Sequence, residues 1–149
     1  MAAAALERTL VGGVMKKENM FNFSMLLLRA VLGAIFVVHG SQKLFGMFDG
    51  IGIEGTAKMM EGFGFPNPEI IAVIWASMEF ASGVFLIFGI MSRWAALAVV
   101  FLIGVLLWKA NISYGILMRS GEIEHYVLII ASSIPIVLLG GGSWAIWDV

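Results

Sequence analysis

The sequence contains no cysteine, which excludes a disulfide framework, a thiolate metal site, iron–sulfur ligation and thiol redox chemistry within this chain. Charge is scarce as well. Only 13% of the residues are charged, against about 25% in typical soluble domains, too few to coat a water-soluble globule. The formal net charge is −1, so no basic surface exists for a nucleic-acid partner, whose phosphates demand clustered Lys and Arg. Proline is rare, with three residues against eighteen glycines, a balance that suits helices packed in lipid better than a disordered chain. There is no phosphate-binding glycine loop and no nucleophile–base constellation, so the chain carries no recognisable catalytic site of its own. Any redox role would use a bound cofactor or a partner.

What remains is apolar. Hydrophobic residues make up 60% of the chain and the mean hydropathy is +0.98, which identifies an integral membrane protein. Crossing a hydrocarbon core takes roughly 20 apolar residues in a helix, and four stretches qualify: 25–45, 69–93, 94–114 and 122–140. Lipid leaves every backbone group to satisfy itself internally, and the alternating segments of a barrel are absent. The expected fold is all-α, a four-helix transmembrane bundle over residues 25–148. Residues 1–24 read as an N-terminal cytoplasmic tail, because Glu7, Lys16 and Lys17 break the basic-then-apolar order of a signal peptide.

The connection between the first two spans is long, and it is patterned. Ile53, Ala57, Met60 and Phe63 recur at helical spacing while Glu54, Lys58 and Glu61 share another face. This predicts a short amphipathic helix lying in the membrane interface, with a favourable Glu54–Lys58 pair one turn apart. Trp94, Trp108, Trp144, Trp147, Tyr114 and Tyr126 fall near the span ends, where interfacial aromatics belong. Counting Lys and Arg on either side balances until Arg29 is added, which places both termini in the cytoplasm.

Charges within the spans are the candidate functional residues. Glu79 lies about ten residues into the second span, where a carboxylate costs about 2.5–3.5 kcal/mol on insertion scales and must face protein, water or a cation. Ala72, Ala76, Glu79 and Gly83 share one helical face; Arg29, Gly33, Phe36, Gly40 and Lys43 share another. The two faces are expected to meet, with Arg29 and Glu79 as an intramembrane charge pair. Two readings of Glu79 stand side by side: an ion pair that fixes helix register, or a carboxylate that carries protons or binds quinone. A second group, His39, Lys43, Glu124 and His125, gathers toward the opposite membrane face, with Glu122 favoured at a helix N-terminus and Glu124 turned inward toward Lys43 or Arg119. The two histidines are the minimum for bis-imidazole haem ligation, but no other haem cue accompanies them. No ligand cluster for a metal is present, and the ten methionines are scattered as packing residues would be. Pro135 should bend the fourth span, with Ser132 and Ser133 beside it to satisfy the freed backbone.

Particular strings also resemble a known family. Arg29-Ala30-Val31-Leu32-Gly33, continued through HGSQKLFG at positions 39–46, is similar to the opening helix of the DoxX family. The likeness continues with Glu79, Gly83, Gly89 and Arg93, then Glu124, and ends with Gly140-Gly141-Gly142 before Asp148. This resemblance implies a four-helix protein of the plasma membrane whose relatives include small subunits of thiosulfate:quinone oxidoreductases and membrane partners of oxidative-stress enzymes. It implies no intrinsic cofactor, with quinone or bound lipid as candidate ligands. The implied partners are membrane lipids and redox subunits or further copies of the chain. A structural partner of a larger complex and a small oligomeric transporter are the alternatives.

Overall fold

The computed structural model describes the backbone of residues 2–114 and 120–147, and the side-chain surroundings of residues 12–109 and 124–147. Within these limits the chain is all-α and has five helices: α1 (Ala2–Phe45), α2 (Gly52–Gly62), α3 (Pro68–Phe88), α4 (Ser92–Tyr114) and α5 (Ser120–Leu139). Three segments are long and apolar enough to cross a membrane: Gly12–Phe45, Pro68–Phe88 and Ser92–Lys109. The protein is therefore a multi-pass integral membrane protein. The described apolar part of α5, Glu124–Leu139, is shorter than those three.

α1 is one continuous helix of 44 residues, about 66 Å long at 1.5 Å per residue and roughly twice a bilayer core. Residues 2–24 run as helix directly into the first span. The two faces expected to meet do so. Arg29, Gly33, Phe36 and Gly40 of α1 are buried, as are Ala72, Ala76, Glu79 and Gly83 of α3. Their glycines set the distance: a Cβ on Gly33 would fall 2.6 Å from the Gly83 carbonyl oxygen, and one on Gly40 would fall 2.6 Å from the Phe80 Cα. Small residues at these points let the two backbones touch, which is how helices gain dispersion energy where lipid supplies no hydrophobic drive. The core then continues through Leu32, Phe36, Leu86, Val99 and Ile136, joining α1, α3, α4 and α5.

α2 has the amphipathic character its spacing predicts. Met60 is fully buried, with Ile53, Ala57 and Phe63 packed around it, while Glu54, Lys58 and Glu61 are exposed. Lys58 Nζ lies 3.2 Å from Glu54 Oε1, an exposed pair of little energetic weight. Thr56, also buried, donates to the Gly52 carbonyl at 2.7 Å and lies 3.4 Å from the Lys43 carbonyl, which seats α2 against the end of α1. Gly62 and Gly64 end the helix and Pro68 starts α3 in its first turn, after Asn67 in the left-handed region.

Two boundaries differ from the hydropathy reading. The second span ends at Phe88 rather than at Arg93, because Gly89 caps it in the left-handed conformation (φ 69°) and Ile90 donates back to the Phe85 carbonyl at 2.9 Å. This is the standard glycine stop for a helix. Arg93 consequently lies in the first turn of α4, exposed. Pro135 is accommodated inside α5, and the neighbouring Ser133 donates to the Ile129 carbonyl at 2.8 Å, a local hydroxyl bond common where helices bend.

The helix contacts predict opposite outcomes for two interior glycines. Gly40→Ala should force α1 and α3 apart and lower stability by about 1–3 kcal/mol, read as a lower melting temperature in detergent. Gly104→Ala, where a Cβ meets nothing within 4 Å, should leave the melting temperature unchanged or raised.

Candidate functional site: two buried charges at opposite ends of the bundle

The antiparallel register of α1 and α3 separates the charges that the sequence suggests as partners. Gly40 sits against Phe80, Gly33 against Gly83 and Ile87, and Arg29 against Gly89. Arg29 is thus level with residue 89, ten residues beyond Glu79, a distance of roughly 15 Å along the helix. The expected Arg29–Glu79 pair does not form. The depth reading misjudged it because apolar spans have no sharp sequence ends: α1 has no boundary near residue 25 from which the level of Arg29 could be counted.

Glu79 pairs instead with Lys43. Lys43 Nζ donates to Glu79 Oε2 at 2.6 Å, with the two side chains 18% and 4% exposed respectively. The pair joins the last turn of α1 to the middle of α3. His39, one turn before Lys43, is half-buried, and Glu79, Lys43 and His125 are the groups close enough to act on its ring electrostatically. His125, from the start of α5, places its ring centroid 6.2 Å from that of His39, with the planes inclined by 36°. Tyr126 packs against His125 with centroids 5.9 Å apart. The structure therefore brings His39, Lys43, Glu79 and His125 into one cluster built from three helices. Glu124 is not part of it. Its side chain is exposed rather than turned inward to Lys43, because Glu79 already occupies that ammonium. Glu122 and Arg119 lie outside the residues whose side chains are described.

Arg29 serves the other end. It is 1% exposed, and its guanidinium donates from Nη1 to the Gly141 carbonyl at 3.0 Å and from Nη2 to the Trp144 carbonyl at 2.6 Å. Two divergent donors on a rigid plane suit two backbone oxygens of one turn. Gly89 and Gly141 make the space, since a Cβ on either would run into the Arg29 head group. The segment held this way, residues 140–147, is fastened further by Asn22, whose Oδ1 accepts from the Ser143 N–H at 3.1 Å. It also forms a bridge to the α3–α4 turn, where Met91 donates to the Trp147 carbonyl at 2.7 Å and Trp147 to the Gly89 carbonyl at 3.1 Å. The glycine run at 140–142 was legible as an exit from the last helix. Its role as a dock for Arg29 was not, because a contact across 112 residues leaves no local signal.

Among the described residues, no group of three or more His, Cys, Asp or Glu side chains could hold a metal ion. What the Lys43 end offers chemically is a carboxylate and an ammonium in hydrogen-bond contact, with two imidazole rings 6.2 Å apart beside them.

Two double-mutant cycles separate the ends. Glu79→Gln should cost about 3 kcal/mol by stranding Lys43, and Lys43→Met combined with it should restore much of that loss, giving a clear coupling energy in detergent melts. Arg29→Met combined with Glu79→Gln should be additive, as expected of sites more than about 10 Å apart. Arg29→Lys should lose one of the two carbonyl contacts, costing about 1.5–3 kcal/mol. It should also loosen residues 140–147, seen as faster proteolysis of that segment.

The family model for DoxX matches residues 24–111. A curated protein of Bacillus subtilis (strain 168) named "Putative oxidoreductase CatD" is similar to the chain, 31% identical over 125 residues that cover 80% of this chain and 81% of that protein. No solved structure matches. Arg29, Gly33, Gly40, Lys43, Glu79 and Gly89, which together set the register and both charged ends, all lie within the matched segment, and the chain belongs to the DoxX family.

Proposed function

We propose that the protein is a small subunit of, or accessory to, a membrane redox complex of the plasma membrane, quinone-linked in the manner of thiosulfate:quinone oxidoreductase systems. In this reading α5 is a fourth span, α2 lies in the interface, and both termini face the cytoplasm. The observation that carries the reading is the Lys43–Glu79 pair flanked by His39 and His125. A 4% exposed carboxylate inside an apolar bundle is expensive to keep, and apolar substitution of a buried pair is often tolerated or stabilising. Its position beside two imidazoles fits a subunit that manages charge or protons for a redox partner. The name of the Bacillus relative points the same way. In this reading the electron-transfer cofactors of such a complex reside in partner subunits, with quinone or lipid as the ligands available to this one.

Native purification in mild detergent, followed by mass spectrometry of proteins and lipophilic ligands, tests the reading. Oxidoreductase subunits or quinone are expected to co-purify. A pure homo-oligomer that conducts solute in liposomes would replace the reading with a transporter. A stable complex holding no redox subunit would replace it with a structural partner.

A further inference from the structure

Glu79 is closed off from water by its own surroundings, yet the groups around it form a graded series toward the surface. Glu79 is 4% exposed and Lys43, which covers it, 18%; His39 is half-buried and His125 exposed. The series ends at the polar end of the molecule, where Asp49, Glu54, Lys58, Glu61, Glu69 and Glu124 are all exposed. His125, exposed and directly after the exposed Glu124, is the outermost member of the series.

We propose that His125 and His39 form a proton path between this aqueous face and the buried Glu79 carboxylate. The spacing suits a relay: the two rings, 6.2 Å apart between centroids, lie within reach of one bridging water. Imidazole is the side chain that both takes up and releases protons near neutral pH. A proton taken from water at His125 passes to His39 and from there, through a further bridging water, to a Glu79 oxygen, which loses its negative charge. Lys43 keeps its own protons and loses its counter-charge, so the cross-link between α1 and α3 is released. The reverse sequence returns the proton to water and restores the pair. Only N–H and O–H bonds are made and broken, and no co-reactant is required. Among the described residues, the titratable groups facing the path are Lys43 and His39 from α1, Glu79 from α3, and His125 and Tyr126 from α5; α2 presents Thr56, which does not titrate. Protonation would leave the Gly33 and Gly40 contacts intact, so the bundle holds while the charge switches. The path stands apart from the redox reading, because a transporter or a structural subunit with these residues would exchange the same proton.

The test uses the full chain in lipid nanodiscs, with infrared detection of the Glu79 carboxylic acid band after a rapid drop in pH. The band is assigned by its loss in Glu79→Gln. In the wild type it is expected to appear promptly. In His125→Ala and His39→Gln its appearance should be slower by about tenfold or more, and imidazole in the buffer should restore the rate in His125→Ala. His125 is exposed, so that variant carries the test even where circular dichroism shows His39→Gln unfolded. A band that never appears before the helices melt, or that rises at the wild-type rate in His125→Ala, overturns the proposal.

Discussion

A charge in hydrocarbon has no water to fall back on, so the partner it finds is decided by which backbone it is pressed against. Here that is the antiparallel contact of α1 with α3. Gly33 and Gly40 bring the α1 backbone against Gly83 and Phe80, and small-residue contacts of this kind fix register because a slip of one turn would place a side chain where only hydrogen fits. Once that register is set, Lys43 is beside Glu79 and Arg29 is beside Gly89. The rest of the polar structure follows from these two placements.

The two ends use their charge differently. At the Lys43 end, opposite charges meet and imidazoles from α1 and α5 stand next to them. The interaction is local and depends on protonation. At the other end Arg29, whose guanidinium stays protonated under any ordinary condition, bonds backbone carbonyls of the chain that follows α5. That end is a permanent fastening: it ties the first helix, the α3–α4 turn and residues 140–147 into one unit. A DoxX protein built this way has an arginine fastening at one end and an ion pair beside two imidazoles at the other, joined by an apolar core.

Much of this is legible in the sequence. The faces of α1 and α3 are marked by their small and charged residues, and α2 by the spacing of Ile53, Ala57, Met60 and Phe63; both readings match the structure. The grouping of His39, Lys43 and His125 was also visible, since they fall at the same end of their spans. The partner of Glu79 was not. Two cations, Arg29 and Lys43, share the α1 face fourteen residues apart, and helical periodicity cannot choose between them. Depth can, but depth depends on where a span begins, and α1 runs as continuous helix past residue 25 with no boundary there. Glu124 was misplaced for a related reason: its inward turn was inferred from a free Lys43 that the fold had already engaged.

Composition by itself determined the membrane environment, the helical class and the need for every buried charge to find a partner, because these follow from the solvent and from the scarcity of polar residues. The periodicity of the chain also determined which faces are interior, since side-chain direction along a helix is a local property. Only the tertiary structure decided which charges pair and that residues 140–147 are held by Arg29. Both depend on the register between helices distant in sequence, a quantity set by backbone contact at a few glycines and recorded in no single segment of the chain.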